Sequence, residues 1–336
     1  MTTDPAPISA DPALAHVTTQ WAHTSPLLCC RFDPQGKYAF AGCEDHSIQR
    51  WDIKSGTKVG LAAHESWVNS LAFTPDSKTL ISAACDGRLI WWPADDEKPA
   101  PSRKIEAHNG WVRSISMNAD GKLLASGGND HLVKLWNAET GDLIRDFPGH
   151  ESHVYSVLFH PSGQWIISGD LKGQVKQWEF STGKLLRTFD AKALYSYNGG
   201  QQVDFGGVRS LAVSADSKYL ACGGLHNASN PLGAVHDPLV LLFEWESQKL
   251  IQSHVAGDLK GAAWRTLFHP QGFLMSVCGG SSGGHLAFWK PDKNTEFHKF
   301  ALPSLARDGD LHPDGLQVAT AHYDRHLRIT RLAAKN

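Results

Sequence analysis

Neither sign of charge dominates this chain: Lys and Arg number 32 against 34 Asp and Glu, a formal net charge of −2 at pH 7. No bulk field is present to hold nucleic acid or an anionic membrane, and neither is expected as a partner. No apolar run approaches the ~20 residues that cross a bilayer as a helix. The opening stretch from Met1 to Pro7 holds an acid and two prolines where a secretion signal needs a basic start and an apolar run. A protein without membrane insertion that stays in the cytoplasm is the expectation. Cys29, Cys30, Cys43, Cys85, Cys222 and Cys278 include no C-x-x-C pair and mostly sit in apolar runs, which predicts buried reduced thiols rather than disulfides or a zinc site. Walker, dinucleotide-binding, nucleophile-elbow and H-E-x-x-H motifs are absent too, so neither an enzyme nor a cofactor is predicted.

What the chain has is length and repetition. Its 336 residues, 41% of them hydrophobic, suffice for a large core. Alternating apolar runs end in an aromatic residue at Trp51, Trp92, Trp136, Trp178 and Trp289, with weaker copies ending at Phe243 and Thr330. The step is roughly 41–46 residues throughout, except for about 65 between Trp178 and Phe243. Within each unit a period-two strand such as Val68–Phe73 runs into a turn: Asp33-Pro-Gln-Gly36, Thr74-Pro-Asp-Ser77, His160-Pro-Ser-Gly163, His269-Pro-Gln-Gly272 or His312-Pro-Asp-Gly315. Proline presets φ at the second turn position and glycine closes the turn. Two more strands and an outer fourth follow, which gives seven four-stranded antiparallel sheets.

Gly149-His150 and Trp51-Asp52, with the near copies Ala63-His64, Ala107-His108 and Trp136-Asn137, resemble the signature of the WD40 repeats over about residues 16 to 332. The resemblance implies an all-β, seven-bladed propeller. It also implies a hydrogen-bonded His, Ser, Asp and Trp tetrad in each well-kept blade, complete in His64, Ser82, Asp86 and Trp92 and in His108, Ser126, Asp130 and Trp136. Because such sets recur with the period, they read as structural rather than catalytic. Blade 1 has Ala41 in the serine position, blade 4 has Lys172 in the aspartate position, blade 5 lacks the opening histidine and blade 6 has Gly283 for the aspartate, while blade 7 keeps Thr320 and Asp324. Too few residues follow Thr330 for a fourth strand, so residues 16–20 are expected to complete the last blade and close the ring. The expected organisation is a flexible segment at 1–15, one domain at 16–332 and a tail at 333–336.

Function is sought on the face that carries the loops between blades and between second and third strands. The extra length falls there, at Asp190–Gly207, Leu225–His236 and Ser281–Gly284. The mixture of aromatics, amides and glycines, Tyr195 and Tyr197 included, suits a contact surface. In the family, the residues flanking the first apolar residue of each inner strand face the channel; here they are Trp67, Asn69, Trp111, Arg113, His153, Tyr155, Arg209, Trp264 and Arg307. Trp67 and Trp111 resemble the tryptophans with which the G-protein beta subunit grips partners. Trp, Tyr and Arg also dominate interface hot spots. These residues predict a scaffold for a protein or peptide partner, as a subunit of a larger complex or on its own. The alternative is a small-ligand or catalytic site at the channel mouth near Tyr155, Arg209, Trp264, Arg307 and Asp308. His150 with His153, and His322 with His326, have helical ligand spacing but fall on strands and loops, so no metal site is predicted.

Overall fold

The computed structural model describes residues 9–230 and 235–335. Seven four-stranded antiparallel sheets and one two-stranded hairpin make up the described residues. Blade 1 runs through Leu27–Phe32, Tyr38–Cys43, Ser47–Asp52 and Lys58–Ala62, and blade 2 through Val68–Phe73, Thr79–Ala84, Arg88–Pro93 and Arg103–Glu106. Blades 3 to 6 repeat this order, with inner strands Val112–Met117, Val154–Phe159, Ser210–Val213 and Ala262–Phe268.

No sheet of this kind can bury both faces alone, so each packs on the next. Seven apolar clusters result, and each draws residues from two adjoining blades. Between blades 1 and 2, for example, Phe40, Ile48 and Leu61 meet Leu71, Ile90 and Trp92. The turns that join inner to second strands are closed by backbone bonds, such as Gly36 N–H to Asp33 O at 2.9 Å and Gly315 N–H to His312 O at 2.9 Å. At Gly315 φ is +69°, a region where a side chain is strained, which explains glycine at the end of the turn. Polar side chains stitch inner strands across blades. Ser70 Oγ accepts from Ile115 N at 3.2 Å, Ser210 Oγ from Thr266 N at 2.8 Å and Asp308 Oδ2 from Cys30 N at 3.0 Å.

Blade 7 is closed by the front of the chain. Its inner strands Ala306–Leu311, Gln317–His322 and His326–Arg331 are completed by His16–Ala22, two residues longer than expected, with His16 opposite Arg331 and Ala22 opposite His326. Trp21 stacks on Trp51 of blade 1 at 6.0 Å and so ties the joint to the next blade. Of the lead-in at 1–15, residues 1–8 lie outside the described residues. Ala10 is buried between blades 6 and 7, Asp11 N donates to Leu332 O at 2.7 Å and Pro12–Leu14 form a short 3-10 turn, so this part docks on the ring. In the tail, Ala333 is buried as well.

Two expected loops carry paired strand in their described residues. Of Leu225–His236, residues 225–230 end the strand Tyr219–Asn230 and residues 235–236 begin its partner Val235–Glu244, while 231–234 lie outside the described residues; Ser281–Gly284 is a tight turn with Gly283 and Gly284 already paired in strand. Alternation missed the first extension because it projects past the core, where neither face is apolar.

Candidate interaction face and channel mouth

The tetrads orient the loops of this face. In blade 2, Trp92 Nε1 donates to Ser82 Oγ (2.9 Å), Ser82 Oγ lies 2.8 Å from His64 Nε2, and His64 Nδ1 lies 2.9 Å from Asp86 Oδ2. An indole N–H can only donate and the carboxylate only accepts, so Trp92 donates to Ser82 and the imidazole Nδ1–H donates to Asp86. Blade 3 repeats the distances at 2.8, 2.7 and 2.8 Å through Trp136, Ser126, His108 and Asp130.

Blade 4 corrects the sequence reading. Lys172 stands in the expected aspartate position, but Asp170, two residues earlier, supplies the carboxylate at 2.8 Å from His150 Nδ1, and Ser168 and Trp178 complete the set. Burial pushes the His150 pKa below its ordinary value, against the pull of Asp170. In blade 7, His322 rather than an opening histidine meets Thr320 Oγ1 at 2.8 Å, and Asp324 turns away to pair with Arg328. Blade 1 opens with His23, bonded to Asp45 at 2.7 Å, which the Ala22-His23 pair could have signalled. His23, Cys43 and Asp45 form the one grouping with metal-ligand donors among the described residues. The Lys58 ammonium sits 2.9 Å from His23 Nδ1, a cation placed where a metal would be repelled.

The channel mouth opens among the inner strands, with a volume of about 230 Å³. Trp67, Asn69, Trp111, Arg113, Tyr155, Arg209, Trp264 and Arg307 all line it, joined by Leu28, Arg31, Ser70, Ser114, Arg265 and Asp308. His153 stands outside the lining, its ring 5.4 Å from that of His131. Trp67 and Trp111 are 41% and 37% exposed, large values for indoles, and their rings lie 6.4 Å apart. From Trp111 onward, aromatics and guanidiniums alternate around the rim. Arg113 lies over Trp111 (4.4 Å) and Tyr155 (4.7 Å), Arg209 over Tyr155 (4.3 Å) and Trp264 (5.4 Å), and Arg307 over Trp264 (5.8 Å) and Tyr323 (5.7 Å).

The deeper charges fall into two sets. Arg31 is paired with Asp308 at 2.7 Å; burial opposes its charge, but Asp308 and Asp310 raise its pKa. Asp308 and Asp310 also accept the backbone N–H groups of Cys30 and Phe32 at 3.0 and 2.9 Å. Arg209 has no such partner among the described residues: burial lowers its pKa and the charges of Arg113 and Arg307 lower it further, with Tyr155 opposing. Arg31 and Arg265 were not legible from the flanking-position rule, because they sit further along their strands than the first flanking residue.

The hairpin Tyr195–Asn198 and Val203–Gly206 lies in the connection between blades 4 and 5. Tyr195 donates to Asp204 Oδ1 at 2.6 Å, a bond that pushes its pKa up to about 12, while Tyr197 is 58% exposed. Neither lines the mouth. Asn198 Nδ2 donates to Ser229 O at 3.4 Å, Asn227 Nδ2 and Lys260 Nζ both donate to Asp237, and Gly261 N donates to His236 O. The extensions of blades 4 to 6 are thus bonded to one another.

The family described as "WD domain, G-beta repeat" matches residues 15–52, 56–93, 99–137 and 141–179. Each matched segment begins with the outer strand of one blade and continues through three strands of the next, and the first takes in the closing strand at residues 16–22. The chain is a WD40-repeat propeller. Its relatives match over short stretches. It is 31% identical over 81 residues to WD repeat and FYVE domain-containing protein 1 of Mus musculus, covering 24% of this chain and 20% of that protein. It is 28% identical over 100 residues to the nuclear distribution protein nudF of Aspergillus flavus (24% and 22%), and 48% identical over 46 residues to the lissencephaly-1 homolog of Caenorhabditis briggsae (13% and 12%). The WD40 chain thus spans about a fifth or less of the length of these relatives. No helix among the described residues is long and apolar enough to cross a membrane.

Proposed function

We propose that this WD40 propeller is a non-catalytic platform that binds a protein or peptide partner on the face bearing the channel mouth. The observation that carries this reading is the pair of exposed indoles, Trp67 and Trp111, side by side at the rim of a rigid ring. Soluble surfaces seldom leave two large aromatics together in water, and such residues buried by a partner are the commonest hot spots. The arginines and Asn69 around them would fix orientation. Tyr197 and the blade 4 to 6 extensions would widen the contact. Six free thiols, five of them buried, suit a reducing compartment such as the cytoplasm.

One observation favours the platform over the catalytic alternative. The one carboxylate lining the mouth, Asp308, is occupied by Arg31 and the Cys30 amide. The test is affinity purification from native lysate of its source cells, with the wild-type chain beside Trp67→Ala/Trp111→Ala. Both side chains are exposed, so the double variant should keep the wild-type melting temperature and lose its partners by about 30-fold or more in affinity. Equal recovery by a folded double variant would reject the platform on this face.

A further inference from the structure

Resting on the platform reading above, we propose that the channel mouth is an oxyanion site that receives a phosphoryl or carboxylate group carried on a side chain of the peptide partner. Five arginines line the mouth against a single lining carboxylate, Asp308. Arg31 takes that carboxylate at 2.7 Å, and Arg265 reaches it only at 3.9 Å. Arg113, Arg209 and Arg307 have no acidic partner among the described residues. Aromatic faces hold their guanidiniums in place but supply no lone pairs, and the acceptor that Arg113 Nε does meet, Asn129 Oδ1 at 2.7 Å, is neutral. The Nε atoms of Arg209, Arg265 and Arg307 are buried and meet no hydrogen-bond acceptor among the described residues.

Buried donors without acceptors are rare in native interiors, and three at one opening call for a common explanation. Burial first, and then the like charges of Arg113 and Arg307, disfavour the charge of Arg209, as burial and then Arg31 do that of Arg265. An oxyanion at the mouth would answer both deficits, because it brings acceptor oxygens in guanidinium geometry and compensating charge. The volume of about 230 Å³ admits a side-chain head group and leaves the rest of the peptide on the rim, against Trp67 and Trp111.

The first probe is inorganic phosphate, titrated at constant ionic strength against chloride while the arginine Nε–H resonances of the full chain are followed by NMR. Those of Arg209, Arg265 and Arg307 should shift saturably. Arg145, whose Nε is also buried without an acceptor but lies away from the mouth, serves as the internal reference. Arg209→Gln and Arg307→Gln should each weaken the binding about tenfold or more with the melting temperature unchanged. The second probe is a set of short degenerate peptide pools with a fixed central phosphoserine, glutamate or serine, read by fluorescence polarisation. Preference for phosphoserine over serine supports a phosphoryl source, and equal preference for glutamate supports a carboxylate source at the same site. Shifts at Arg145 matching those at the mouth, or no saturable shift together with no difference among the pools, overturn the proposal. A result in which Trp67→Ala/Trp111→Ala loses partners but no arginine responds leaves the platform and removes the anion. A saturable response with partners retained by that variant does the reverse.

Discussion

At the scale of the residue, the tetrads show how far spacing alone can be read. Blades 2 and 3 place serine, aspartate and tryptophan at one fixed set of offsets from the histidine, and the structure bonds all four in each. Blade 4 shifts the carboxylate by two residues, to Asp170 at the end of its strand, where the side chain still reaches His150 and the backbone N–H of Gln174. Position in sequence and position in space part company there, because Asp170 ends the strand and its carboxylate faces His150, whereas Lys172 lies exposed in the turn that follows. Asp170→Ala should therefore cost about 1–3 kcal/mol for each donor it orphans, whereas Lys172→Ala, at an exposed side chain, should stay within about 0.5 kcal/mol. Urea denaturation of the two variants decides it. Comparable losses from both would return the carboxylate role to the position that the spacing assigns.

At the scale of the element, closure by the front of the chain was legible because it follows from counting: a sheet of four strands needed a partner and only residues 16–20 had strand character. The longer hairpins were not, since a strand that projects beyond the core shows no alternation and its pairing rests on backbone bonds alone. Strand His16–Ala22 covers the edge of His326–Arg331 with six paired positions and the Trp21 to Trp51 stack. Removal of residues 1–22 forfeits several ladder bonds at about 1 kcal/mol each and the stack at about 0.5–1.5 kcal/mol, and it exposes an unpaired edge. The truncated chain should melt well below the full one and form concentration-dependent oligomers by light scattering. A monomer of unchanged melting temperature would show that the ring holds without its closing strand.

At the scale of the whole molecule, the ring is held by seven apolar interfaces into which imidazoles have been packed, and these give stability a pH dependence. Burial holds His160 and His254 down to about 4, and His322 too, where burial acts first and the Arg328 charge next. In the unfolded chain each returns to about 6.5. Because the unfolded state binds protons that the folded state refuses, these groups contribute stability that is complete above pH 6.5 and is lost as pH falls from 6.5 towards 4. The carboxylates of Asp86 and Asp130 act later. Burial alone would raise them, but bonds from His64 and His108 hold them below 3.8, so their contribution fades only under more acid conditions. Urea midpoints should thus fall steadily from about pH 6.5 to about pH 4.5, with a slope to which these three groups contribute up to three protons taken up on unfolding and to which other depressed imidazoles such as His150 add. His254 is the group to change. It is fully buried beside Trp289, and neither of its ring nitrogens meets an acceptor or donor in bonding geometry. Removing a buried polar group that nothing satisfies costs little. His254→Leu should match or exceed wild-type stability at pH 7 and fall less steeply below pH 6.5, by one proton's worth of slope. A variant whose profile parallels the wild type would show that His254 takes up no proton on unfolding in this window, and a flat wild-type profile would remove the imidazoles from the account altogether.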